Sequence, residues 1–421
     1  MADSLPRMLS NFRPLTGVVK ADYTDFLVDE APLYDFDGSG THTLFRIEKT
    51  GLSTMQAAHD VARALNVSRR DVGFAGLKDA RAVARQWFSV EHVDPDAVSQ
   101  LAIPRIRVLE VTRHRNKLRL GHLRENRFII RVRETDAGRL AQVQDALRTL
   151  TDRGVPNYFG RQRFGNRGDT WIVGRACVRG NLEEALDFVL GRAGPMDHGD
   201  ILQARRAYDR GEYAQALQHW PRMFRDERRA LAALDRADGK KKRGFLAIDP
   251  HTRQFYVSAY QSHLFNRVVA ARLSAGGLHQ LQLGDLAWLH ATGAVFSVTD
   301  PAAEQPRADA FEISPTGPLF GYRMTHASGA PGEMEAALLA EEGLTDEAFR
   351  NPHLRVKGLR RTLRFPIRDA AVTLGADGRG SYLELRFSLP RGCYATAVLR
   401  ELFDESPAAA SGEADEEESD D

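Results

Sequence analysis

The residues with the clearest chemical potential lie in the run Gly73-Phe74-Ala75-Gly76-Leu77-Lys78-Asp79. A single aspartate beside a lysine, in a glycine-bearing turn, can serve as a nucleophile or as an acid–base group. A cation close by keeps such a carboxylate ionised. The glycines let a substrate approach the backbone. The spacing also fits a plainer role, with Asp79 capping a short helix over 80–84.

Two further stretches could touch a ligand. Residues 113–128 (RHRNKLRLGHLRENRF) carry six Arg or Lys against one acid. Lys117 and Arg119 alternate with Leu118 and Leu120, which predicts a strand with one cationic face. Such a face suits phosphates, while Asn126 and Phe128 suit a base, by hydrogen bond and by stacking. The competing reading is a solvated edge strand protected by its charges. Residues 392–396 (GCYAT) read as a glycine turn into a helix start, which presents backbone N–H groups and an aromatic. Taken alone, that pattern favours core packing for Tyr394.

Other chemistries find no positive support. The sequence has no GxxxxGK[ST], no GxGxxG after a strand and no HExxH, and its serines lack a GxSxG context. The 13 histidines do not cluster with acids at metal-ligand spacings, so His42, His59 and His263 read as structural or surface groups. Cys177 and Cys393 are the only cysteines and lack CxxC spacing, which argues against a disulfide framework or a zinc site. No cofactor and no metal are expected.

The elements that must hold these residues follow from periodicity. Strands are expected over 17–30 and 43–49, with the turn signal Asp37-Gly38-Ser39-Gly40 between them. Ser53 through Gln56 resembles a capping box, and Met55, Ala58, Val61, Ala62 and Leu65 then follow one helical face. An aromatic strand (Trp87-Phe88-Ser89-Val90) follows the glycine-rich run. Strands over 105–111 and 127–134 and an amphipathic helix over 137–150 come next. Near 155 the texture changes. A long helical region spans about 182–236, Gly239-Lys240-Lys241-Lys242-Arg243 reads as a loop, and a helix fits 255–275. Leu383, Leu385, Phe387 and Leu389 share one face of a strand, and 395–403 reads as a closing helix. Strand-rich ends around a helix-rich middle suggest a β-rich domain with a second domain inserted at about 155–365.

The chain has 421 residues, 43% hydrophobic and 27% charged, a profile that fits a soluble globular protein of two or more domains. No apolar run approaches the roughly 20 residues of a membrane span, and the N-terminus shows no secretory pattern, so a cytoplasmic setting is expected. The net charge of +1 hides an asymmetry. Residues 404–421 hold nine of the 57 acids and no base, which leaves 58 basic against 48 acidic side chains, or +10, for residues 1–403. A body of that sign attracts polyanions. The tail itself is expected to be disordered.

Long motifs in register give a more specific reading. Residues 73–87 (GFAGLKDARAVARQW), 154–165 (GVPNYFGRQRFG) and 390–402 (PRGCYATAVLREL) closely resemble the TruD family of tRNA pseudouridine synthases. Supporting matches are 25–30 (DFLVDE), 40–51 (GTHTLFRIEKTG), 117–128 (KLRLGHLRENRF) and 258–264 (SAYQSHL). They fall in the family's order and cover most of 17–403, and they outweigh the helix-cap reading of Asp79.

The resemblance implies an α+β fold. A pseudouridine synthase core with a mixed, largely antiparallel sheet would occupy 15–154 and 366–403. An inserted α/β TRUD domain would occupy 155–365, with 182–243 as a helical extension and 404–421 as an acidic tail. It implies a cofactor-free, monomeric isomerase acting on tRNA, at uridine 13 in the D stem. By position, Asp79 matches the nucleophile, Lys20 a basic residue that pairs with it, and Phe128 the aromatic that stacks on the uracil. Phe26, Asn126 and Tyr394 match substrate-contacting positions, although Tyr394 stands where members carry Phe. The alternative is a non-catalytic RNA-binding protein or tRNA chaperone on the same scaffold.

Overall fold

The computed structural model describes residues 5–351 and 354–404; the acidic tail from Glu405 onward lies outside them. The chain divides into two compact units, one of Asn157–Arg364 with residues 5 and 6, the other of Arg7–Pro156 with residues 365–404.

The second of these units is built on a nine-stranded sheet. Its strands are β1 (Val18–Val19), β2 (Phe26–Pro32), β3 (His42–Thr50), β4 (Gly73–Phe74), β5 (Val83–Glu91), β6 (Ile106–His114), β7 (Leu123–Arg133), β8 (Arg368–Asp377) and β9 (Gly380–Pro390). The spatial order is β8-β9-β7-β2-β5-β3-β6, with β1 beside β7 and β4 beside β5. The pairings are antiparallel except β2 with β5, which run parallel with Leu27 opposite Val83. The sheet is therefore mixed and largely antiparallel, and the fold class is α+β.

Period-two patterning explains the sheet's burial. On β9, Leu383, Leu385, Phe387 and Leu389 face one apolar layer together with Phe26, Val28, Phe128 and Ile130. Helix α2 (Leu140–Arg153) covers that layer with Val143, Ala146, Leu147 and Leu150, an i, i+3, i+4, i+7 stripe. Helix α3 (Ala395–Leu402) adds Val398 and Leu402. A second layer joins Phe45, Ile47, Phe88 and Val90 to Ala57, Ala58 and Val61 of helix α1 (Thr54–Ala64). Ser53 caps α1 by accepting a hydrogen bond from the Gln56 N–H at 3.1 Å.

Several local expectations change. The strand over 17–30 is interrupted by a 3-10 turn at Tyr23–Asp25, whose Asp22 and Asp25 form a reciprocal capping box. The helical region expected over 182–236 is built of four helices, Leu182–Leu190, Gly199–Asp209, Tyr213–His219 and Arg225–Arg236. The predicted loop 239–243 is partly helical, because the helix Lys241–Leu246 begins inside it. These helices pack with Thr170–Val178 and the long helix Pro250–Ser274 around one apolar cluster. A four-stranded sheet, ordered 295–297, 286–289, 313–319, 359–362, completes that unit. Among the described residues no helix is long and apolar enough to cross a membrane.

His263, on Pro250–Ser274, stacks flat on Trp171 with centroids 3.8 Å apart and planes at 5°. Burial, then the neighbouring Arg267, push its imidazole down to about 4. The ring is thus neutral in the fold while the unfolded chain binds a proton below the ordinary 6.5. Stability should fall as pH drops from 6.5 toward 4, by on the order of 3 kcal/mol from this group. His263→Phe keeps the stack and removes the proton. Urea unfolding across this pH range should show a shallower loss for that variant, and parallel curves would contradict the assignment.

Candidate active site

The parallel pairing of β2 and β5 brings two remote segments to one end of the sheet. Lys20 lies seven residues before Leu27, and Asp79 lies four before Val83, its register partner. The Lys20 ammonium forms an ion pair with the Asp79 carboxylate. Both side chains remain partly open, 22% and 31% exposed. Lys20 adopts φ 60, the left-handed region that a non-glycine residue occupies only under local constraint. Its ammonium also sits 4.5 Å from the centroid of the Phe26 ring. Phe26 meets Phe128 edge-on, centroids 6.0 Å apart and planes at 72°, and Phe128 continues to Phe387 at 5.4 Å.

Asp79 caps no helix. After it the chain turns through 80–82 and enters β5 directly. Its Oδ1 does accept the Arg81 N–H at 2.8 Å, a local turn bond that fixes the carboxylate's rotation. The Arg81 guanidinium in turn donates to the Lys20 carbonyl at 3.3 Å, tying the two partners' backbones together.

Beneath the loop lies a polar network that the sequence analysis missed. Lys78 turns away from Asp79 and pairs with Glu30, with side chains 3% and 0% exposed. Gly76 makes room for this ammonium, since a Cβ there would come within 2.9 Å of Lys78 Nζ. Glu30 Oε1 also accepts the Trp87 N–H at 3.2 Å. The Lys78 N–H donates to Thr54 Oγ1 at 2.8 Å, which donates to Gln86 Oε1 at 2.9 Å, and Gln86 Nε2 reaches the Gly76 carbonyl at 3.3 Å. Lys49, fully buried on β3, donates to the carbonyls of Leu52, Lys78 and Asp79. One signal for Lys49 was present. It follows Phe45 and Ile47 at period two, and so falls on a core-facing position where a cation needs partners.

The preceding turn is anchored as firmly. Arg133 binds Asp25 at 2.6 and 2.7 Å and Asp377 at 2.8 and 3.0 Å. These hydrogen bonds hold the Asp377 carboxyl well below, and raise the Arg133 guanidinium above, their usual ranges. The segment from Lys20 to Phe26 is thereby fixed to the ends of β7 and β8.

The remaining predicted residues are placed less uniformly. Asn126 lies on β7 opposite Glu30 and Leu389, and its Oδ1 is buried without a hydrogen-bond partner among the described residues. Tyr394 is not packed in the core; it precedes α3 and is 45% exposed. The expected cationic strand at Lys117–Leu120 is a loop instead. Leu118 is buried with its N–H on Ser89 Oγ, and the Lys117 ammonium binds the Arg70 carbonyl, so tertiary contacts override the alternation.

These features define a class of α+β protein with one carboxylate and one ammonium at the head of a parallel strand pair, beside clustered aromatics. The family model for tRNA pseudouridine synthase D (TruD) matches residues 7–402. The chain is 47% identical over 388 residues to the tRNA pseudouridine synthase D of Geobacter metallireducens, covering 92% of this chain and 95% of that one. It is 38% identical over 399 residues to that of Anaeromyxobacter dehalogenans strain 2CP-C, covering 94% and 96%. The crystal structure of a Methanosarcina mazei chain, described as tRNA pseudouridine synthase D, superposes with a TM-score of 0.85 at 28% identity, covering 96% and 97%. The chain belongs to the TruD family of tRNA pseudouridine synthases.

The buried pair yields a stability prediction. Lys78→Met should cost about 3–5 kcal/mol by stranding Glu30. Adding Glu30→Gln, which keeps an acceptor for the Trp87 N–H, should restore part of that loss. Urea unfolding of the single and double variants checks it, and additive losses would contradict a coupled pair.

Proposed function

We propose that this chain isomerises uridine to pseudouridine in tRNA, at uridine 13 of the D stem, with Asp79 as the nucleophile. The observation that carries the reading is the Lys20–Asp79 ion pair, partly open and set beside Phe26 and Phe128. Family membership across residues 7–402 supports the substrate and the reaction.

In this reading the target uridine leaves its stack, at a cost of a few kcal/mol. Phe128 and Tyr394 offset part of that by stacking. Lys20 favours the charged form of Asp79 and orients it. The Asn126 side-chain amide hydrogen-bonds the base. Asp79 then triggers cleavage of the bond between C1′ and N1. The uracil rotates, C5 bonds to C1′, the C5 hydrogen leaves as a proton, and N1 gains a proton. The product has the atoms of the substrate, so the stoichiometry calls for no co-substrate.

Carbodiimide mapping of pseudouridine in tRNA incubated with the protein tests each part. Wild type should mark uridine 13, and Asp79→Ala should be slower by about a thousandfold or more. Unmodified tRNA would defeat the activity. A mark elsewhere would defeat only the position, and an active Asp79→Ala would defeat only the nucleophile.

A further inference from the structure

A concave pocket of about 380 Å³ in the Asn157–Arg364 unit is lined by Tyr322, Arg323, Arg350 and Lys357. The guanidinium carbons of Arg323 and Arg350 lie 5.8 and 5.6 Å from the centroid of the Tyr322 ring. Both guanidinium groups thus lie within cation–π range of one ring. Backbone bonds fix the frame, with the Tyr322 N–H on the Val356 carbonyl at 3.2 Å and the Gly358 N–H on the Arg323 carbonyl at 3.0 Å.

Two glycines permit this approach. A Cβ on Gly321 would fall 2.6 Å from Gly358 Cα, and a Cβ on Gly358 would fall 2.7 Å from Met324 Cβ. Side chains at either position would separate the segments and carry Lys357 away from Arg323. The charges are little compensated. Among the described residues Arg323 and Lys357 have no carboxylate partner, and Arg350 meets the exposed Glu347 at 3.3 Å, a contact that solvent weakens. Three cations thus converge on an open pocket, which suits an anion with several acceptor oxygens rather than an apolar ligand.

We propose that Tyr322, Arg323, Arg350 and Lys357 form an RNA-contact site that grips the phosphodiester backbone of the tRNA substrate. This rests on the proposed function, which supplies the polyanion. The site contributes affinity and leaves the chemical step alone.

The test titrates wild type, Arg323→Gln/Arg350→Gln/Lys357→Gln and Tyr322→Leu with unmodified tRNA across salt concentrations, after circular dichroism confirms folding. The triple variant should bind about tenfold more weakly, with its log–log salt slope reduced by about one for each cation removed. Tyr322→Leu keeps the charge but frees the guanidinium groups, and should weaken binding severalfold. Single-turnover rates at saturating protein should not change. If the triple variant keeps the wild-type affinity and slope, the inference is overturned, and the pocket then serves some other anion, such as an acidic protein segment. A lower saturated rate would overturn it as a pure binding site. Wild type that binds tRNA without making pseudouridine would defeat the proposed activity instead, and the same titrations would still judge the pocket.

Discussion

The parallel pairing of β2 with β5 is the constraint on which the site depends. Every other neighbour contact in this nine-stranded sheet is antiparallel. An antiparallel pair would send the chain segments ahead of its two strands to opposite ends. The parallel pair sends them to the same end, so that Lys20 and Asp79, 59 residues apart, can meet. Phe26 opens β2 and lies beside that meeting point. The geometry follows from strand direction and does not depend on any local motif.

Direction alone does not hold a carboxylate still. The loop before β5 has little apolar surface of its own, since Leu77 points to solvent. Its rigidity comes from buried polar groups, chiefly Lys49 on three carbonyls and Lys78 on Glu30. Such groups are costly to bury and become structural only when each finds its partners. A network of this kind adds little net stability. It does specify one loop conformation, because any alternative would strand a charge. Arg133 performs the same service for the segment that carries Lys20.

How much of this was legible in the sequence varies by residue. The apolar alternation at 383–389 and the helical stripe of α1 were plain, because a sheet face and a helix face each leave a periodic trace. The one-face strand at Lys117–Leu120 misled. Four alternating residues cannot show that Leu118 will be drawn into the core through Ser89. The long helical region past 182 was visible in composition, but its breaks were not. Tyr394 reads as a core residue by type and is exposed by position. Asp79 stood out in its glycine-bearing turn, but only long motifs in register set that reading above a helix cap, and its pairing with Lys20 entered through family resemblance. Glu30 lay inside one of those motifs without any sign of its partner, because the Lys78 contact spans 48 residues.

The central claim is that Lys20 acts on the chemistry through Asp79. Replacing the C5 hydrogen releases it to water, so tRNA tritiated at C5 of uridine reports the reaction directly. The decisive measurement is single-turnover tritium release by Lys20→Met at saturating protein, with tRNA affinity measured in parallel. The account predicts a rate constant reduced by about tenfold or more with affinity nearly unchanged. An unchanged rate constant, or a loss confined to affinity, would contradict it.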